Sequence, residues 1–133
     1  PDPHAYALED ETFVISAEGE HEVLRTIGTT VSEPVYSIQG VVTSETDSYI
    51  SIITGGEELR VSGALSEGET LIVDSSLVTA KVVDSVGNTL RNGLPLLYEL
   101  NFPMLETGSN TVVVATSNAT FTELNIQANS RWR

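Results

Sequence analysis

The stretch Tyr49-Ile50-Ser51-Ile52-Ile53-Thr54-Gly55-Gly56-Glu57-Glu58-Leu59-Arg60-Val61 decides the fold class. Two runs rich in β-formers meet at a short connection holding Gly55 and Gly56, which reads as a β-hairpin. Further along, Ser66-Glu67-Gly68-Glu69 is a turn that opens the strand Thr70-Leu71-Ile72-Val73, and Asp74-Ser75-Ser76 separates this strand from residues 77–83. There Val78, Ala80 and Val82 alternate with Thr79, Lys81 and Val83, the period of two of a half-buried strand. Residues 111–116 and 119–127 read as another hairpin through Ser117-Asn118, with Leu124 and Ile126 on one face and Glu123, Asn125 and Gln127 on the other. Toward the amino end, residues 34–39 form a strand that Gly40 bends or bulges. Residues 12–17 and 21–27 flank Glu18-Gly19-Glu20 as a three-residue hairpin loop. Only residues 88–100 lack a clean period. They have room for one helical turn around Leu96-Leu97-Tyr98-Glu99-Leu100, with Gly93 and Pro95 opposing an earlier start. About eight to ten short strands without intervening helices predict an all-β fold, an antiparallel β-sandwich or jelly roll.

The chain has 133 residues, 19 acidic and 6 basic, for a formal net charge of −13, and no cysteine. One domain is expected at this length. Without cysteine there is no disulfide framework, thiolate metal site or cysteine nucleophile. Six scattered cations cannot neutralise a run of phosphates, so neither nucleic acid nor an anionic membrane surface is an expected partner. The acid is uneven. Residues 1–22 hold seven acidic side chains and no Lys or Arg, whereas residues 23–133 hold the other twelve and all six cations. Residues 1–22 therefore read as an acidic junction running into the first hairpin, and residues 23–133 as the sandwich domain. A solvated, self-repelling arm is the plainer account of the acidic segment, and a steering surface for a basic partner is the sharper one.

Catalytic chemistry finds little purchase. A Ser-His-acid triad would need His4, beside Pro3 in an extended segment, or His21 within Glu18-Gly19-Glu20-His21-Glu22. That run offers Glu18, Glu20 and His21 to a divalent ion but lacks the spaced oxygen ligands of a calcium loop. Glu57 and Glu58 are adjacent on a strand and point to opposite faces, which precludes a facing acid/base pair. Asp74 and Asp84 end strands where Asp bonds its own turn. Gly55-Gly56 lacks the Lys and helix of a phosphate loop. No catalytic, cofactor-binding or metal-binding residue is assigned, and a non-enzymatic domain is expected. A sugar platform would need clustered aromatics, yet Tyr36, Tyr49 and Tyr98 are scattered and the single Trp132 lies between Arg131 and Arg133. Asn118-Ala119-Thr120 matches a glycosylation acceptor but reads as turn chemistry.

Four local patterns, in order along the chain, resemble the distal tail (Dit) proteins of long-tailed phages. Pro1-Asp2-Pro3-His4-Ala5-Tyr6 is similar to the junction that follows that family's first domain. Gly28-Thr29-Thr30 and Glu33-Pro34-Val35-Tyr36-Ser37-Ile38-Gln39-Gly40 resemble its glycine, proline, strand and glycine. Ser66-Glu67-Gly68-Glu69-Thr70-Leu71-Ile72-Val73-Asp74 is similar to its Gly-Glu strand ending in Asp. Phe102-Pro103-Met104-Leu105-Glu106-Thr107-Gly108-Ser109-Asn110-Thr111 looks like its Phe-Pro-x-Leu turn before the last two strands.

The resemblance implies a galectin-like β-sandwich, the carboxy-terminal half of a hub protein whose amino-terminal domain builds a hexameric ring. That ring joins the tail tube to a tail-associated lysin or fibre and to receptor-binding proteins. Pro1 at the start and a lone Met104 fit a piece cut from a longer chain, with the ring domain expected before it. The implied role is a structural adaptor at the tail tip of a virion assembled in the bacterial cytoplasm, where a cysteine-free chain is at home. The full-length protein would be a homohexamer and this piece alone a monomer. Asp2, Pro3, Pro34, Gly40, Gly68, Asp74, Leu105, Gly108 and Asn110 carry over as fold determinants, not reactive groups. Gly68 and Gly108 would permit turn conformations, and Asn110 would bond turn backbone. The sugar-binding constellation of true galectins is not recognisable, so a carbohydrate-binding module for host wall polysaccharide is the second expectation. An accessory domain of a secreted hydrolase is the third.

Overall fold

Gly55 and Gly56 take φ of 61° and 80°, the left-handed pair that a two-residue hairpin turn requires and that side chains resist. The turn sets Ile52 opposite Leu59 and Ile50 opposite Val61, so four apolar side chains share one face. In this computed structural model the described residues are 12–25, 33–43, 45, 47–75, 77–99 and 101–127. Asp2, Pro3, His4, Gly28 and Trp132 lie outside them. The strands are β1 (Thr12–Ile15), β2 (Gly19–Arg25), β3 (Val35–Val42), β4 (Tyr49–Thr54), β5 (Glu57–Val61), β6 (Thr70–Asp74), β7 (Thr79–Val83), β8 (Thr89–Asn92), β9 (Gly108–Ser117) and β10 (Ala119–Gln127). They form two antiparallel sheets, of order β1-β10-β3-β6-β7-β8 and β2-β9-β4-β5. The fold is an all-β antiparallel sandwich.

The core lies between the sheets. Tyr36, Ile38, Leu71, Val73, Val82, Leu124 and Ile126 from the larger sheet are buried together with Ile50, Ile52, Leu59, Val61, Val112 and Val114 from the smaller. Along β7 the alternation holds for Thr79 to Val82, but the strand begins later than the sequence implies. Leu77 and Val78 form the preceding turn, with Val78 at φ 55°. A register shift between Val82 and Val83 then buries both valines. β8 is exposed along its whole length, as an outer strand paired only with β7 can be, which explains why residues 88–92 show no hydrophobic period.

Two expected hairpins are not formed. β1 pairs with β10 in the larger sheet, whereas β2 pairs with β9 in the smaller one. Likewise β9 and β10 lie in different sheets. β9 ends at Ser117 and β10 begins at Ala119, so only Asn118 links them, too short for a hairpin turn. Asn118 adopts φ 45° and turns the chain into the opposite sheet. Its side-chain Nδ2 donates to Asp47 Oδ2 at 2.7 Å, and its backbone carbonyl accepts from Ser48 Oγ at 2.8 Å. The β1–β2 link makes the same crossing between the same two sheets. It is pinned by Glu18, whose Oε1 accepts from the Thr116 amide at 3.1 Å and hydroxyl at 2.9 Å.

The helical turn is a 3-10 turn at Leu94–Leu96, earlier than expected and containing Pro95, which tolerates an early position because its missing N–H would be unpaired there. Gly40 does not bulge its own strand. The irregularity lies opposite it in β10, between Phe121 and Glu123. A Cβ on Gly40 would overlap the Thr120 carbonyl oxygen and come within 2.9 Å of Ile50 Cδ1. Gly40 is therefore where both sheets approach one backbone. Gly40→Ala is expected to lower stability by about 2 kcal/mol and the Tm by roughly 6–8 °C. An unchanged Tm in a thermal melt would show that the β10 irregularity relaxes at no cost.

Candidate functional site

The resemblance-derived positions among the described residues serve turns, strand ends and the core and do not converge on one site, and Asp2 and Pro3 lie outside the described residues. Pro34 accepts the Ser75 amide at 3.1 Å. Asp74 Oδ1 accepts the Leu77 amide at 3.2 Å, closing the turn after β6. Gly68 has φ 84° in the turn before β6, and Gly108 has φ 96° at the start of β9. Leu105 is fully buried, and nearby Asn110 clamps the chain that follows it. Asn110 Oδ1 accepts the Glu106 amide at 2.9 Å, while Nδ2 donates to the Glu106 carbonyl at 2.8 Å and the Gly108 carbonyl at 3.1 Å. A side-chain amide used twice at one turn in this way fixes where β9 begins. Tyr36 makes a longer tie. Its buried hydroxyl donates to the Pro103 carbonyl at 2.7 Å, and burial pushes its phenol well above the usual range.

Among the described residues considered for catalysis, His21, Glu18, Glu58, Asp74 and Asp84 make structural contacts. His21 Nε2 lies 2.7 Å from the Ala17 carbonyl, while Glu18 holds Thr116. No group of three metal-ligating side chains occurs among the described residues. Asp84 Oδ1 accepts the Val86 amide at 3.0 Å and the Asn88 amide at 2.9 Å. The Asn88 amide is the main cause that holds its carboxyl below the usual range. Glu22 accepts from Ser109 and from Thr111, which lower its pKa in that order.

The outward face of β4 and β5 carries a cluster that local sequence patterns did not reveal. The Arg60 guanidinium lies 4.3 Å from the Tyr49 ring centre and 5.2 Å from that of Tyr98. Its Nη2 donates to Glu58 Oε2 at 3.0 Å. The Ser51 hydroxyl donates to the same oxygen and is the first cause of the lowered Glu58 pKa. Ser51 stands opposite Arg60 in the hairpin register, which makes Tyr49 the diagonal neighbour of Arg60. That half was readable from the two-glycine turn. Tyr98 arrives by tertiary pairing, with its amide donating to the Arg60 carbonyl at 2.9 Å and Leu97 bridging Val61. The cation is neutralised by Glu58 and covered by rings, an arrangement suited to holding residues 96–98 on the sheet edge.

Among the described residues, two surface clefts stand out. The larger, about 430 Å³, is lined by Gln39, Glu67, Glu69, Thr70, Asp84 and Thr122 among others. Asp84 there is committed to its own turn, and Glu69 to Arg91. Arg91 Nη1 donates to Glu69 Oε2 at 2.7 Å and Nη2 to Oε1 at 2.9 Å, a two-pronged pair that also takes in the Ala64 carbonyl at 3.0 Å. The smaller, about 310 Å³, lies between the β4–β5 turn and residues 102–106.

Arg91, followed by the Ser66 amide, pulls the Glu69 pKa from 4.5 down to about 2. The folded chain thus binds this proton less readily than the unfolded chain. The stabilisation is complete above the unfolded value of 4.5 and is lost as pH falls through about 2. Arg91 is 40% exposed against 16% for Glu69, so solvent screening keeps the contribution near 1 kcal/mol. Glu69→Gln should cost about 1 kcal/mol in urea denaturation at pH 7 and almost nothing near pH 2. An equal cost at both pH values would contradict the pairing. No protein-family model, curated protein or solved structure matches this chain.

Proposed function

We propose that this chain is a non-enzymatic adaptor domain of a phage tail-tip hub protein, displaying a β-sandwich that docks other virion proteins during host attachment. The observation that carries the reading is how the charge is used. Against 19 acidic side chains stand 6 basic ones, and Arg60 and Arg91 are already paired with Glu58 and Glu69. Such a surface attracts basic partners and repels nucleic acid and anionic membranes. The ordered sequence patterns add the tail-tip context, with the tube, a lysin or fibre and receptor-binding proteins as partners. The full-length product would be a homohexamer and this piece a monomer. Negative-stain imaging of the product of the whole gene should show six-fold rings with peripheral lobes, and light scattering of residues 1–133 should give a monomer mass. A catalytic domain upstream in place of a ring domain would contradict the reading.

Carbohydrate binding is the second reading, favoured by the Tyr49–Arg60–Tyr98 cluster with Glu58 on an open sheet face. Tyr98 is 63% exposed and offers a ring to a sugar, while Arg60 and Glu58 offer polar groups. Titration of the chain with host wall polysaccharide separates the two readings. Saturable binding abolished by Tyr98→Ala would favour the sugar reading, and no binding is expected under the adaptor reading.

A further inference from the structure

We propose that the smaller cleft receives a Lys or Arg side chain from a basic segment of a partner protein. The inference rests on the adaptor reading and assigns it a docking point. Thr54, Gly55, Glu57, Phe102, Met104 and Glu106 line the cleft. Phe102 packs against the core, and Met104 is 47% exposed, so an apolar wall stands open to solvent. The carboxylates of Glu57 and Glu106 are exposed and take part in no hydrogen bond or ion pair among the described residues. Thr54 is only 2% exposed, yet its hydroxyl has no hydrogen-bond partner. Buried hydroxyls are ordinarily paired.

These features select one kind of ligand. An anion would be repelled by the two unpaired carboxylates, and a purely apolar group would leave them unanswered. A Lys or Arg side chain matches the carboxylates and the apolar wall together, with its methylenes on Met104 and Phe102 and its charged head beside Glu57 and Glu106. A volume of about 310 Å³ is at the lower limit for a small-molecule pocket and suits one long side chain. The chain's own Arg60 and Arg91 are engaged elsewhere, and its net charge of −13 steers a basic segment toward it.

The test is an amide NMR titration of the 133-residue chain with capped tetralysine, and with spermidine as a cation lacking peptide backbone. Saturable shifts at residues 54–57 and 102–106 are expected, with spermidine weaker. The pair Glu57→Gln and Glu106→Gln should weaken tetralysine by about tenfold, whereas Glu67→Gln in the other cleft should leave it within about twofold. Both variants change exposed side chains, and their spectra report folding directly. Shifts spread evenly over the acidic surface, equal binding of spermidine, or no binding would overturn the proposal. So would the same amides shifting with protein concentration alone, which would point to a second copy as occupant. Rings from the whole gene product without binding at this cleft would sink the cleft and spare the adaptor reading. Binding at the cleft without rings would do the reverse.

Discussion

The structure depends on the apolar layer shared by its two sheets. With no cysteine to staple the chain, contact between the two inner faces is what keeps the sheets together against the repulsion of an acidic surface. Each sheet alone would expose a continuous apolar face, and each buries the other. The constraint shows most clearly where the sheets touch backbone. Gly40 lets β10 and Ile50 come close enough to close the sandwich. The Tyr36 hydroxyl then carries the core outward to residue 103, one end of the surface that builds the smaller cleft.

The strands were legible in the sequence wherever one face is buried and the other wet, as in β4, β5, β6 and β10. Their partners were less so. A run of alternating residues and a short polar link describe a hairpin and an inter-sheet corner equally well, and the sequence pattern favours the commoner hairpin. In the sequence, Ser117-Asn118 is a two-residue link compatible with a hairpin; only the extension of β9 to Ser117 in the structure makes the link too short for one. β8 was invisible because an exposed outer strand has no face to bury. The Arg60 cluster was half legible: register places Tyr49 beside Arg60, but nothing local brings Tyr98 across the chain. The smaller cleft was not legible, since it joins a hairpin turn to residues some fifty positions away by the packing of whole sheets.

Charge is distributed in a way that separates support from surface. Carboxylates that hold the backbone, such as Glu18, Glu69 and Asp84, are engaged by donors, and Glu58 is engaged by Ser51 and Arg60. Glu57 and Glu106 are not. Arg60 and Arg91 are tied to the chain's own carboxylates while Glu57 and Glu106 stand beside apolar surface, and the proposed contact with a positively charged protein builds on that contrast. The proposed charge chemistry is independent of any particular assembly, and the proposed tail-tip setting rests on the ordered sequence patterns alone.

The most direct measurement is a cryo-electron microscopy reconstruction of the tail tip assembled from the product of the whole gene and its neighbouring proteins. The account predicts this sandwich at the periphery of a ring, with residues 54–57 and 102–106 seated on a Lys or Arg of an adjoining protein. A reconstruction in which the sandwich is absent from the tip, or in which that end faces solvent while Tyr98 and Arg60 hold a saccharide, would contradict it.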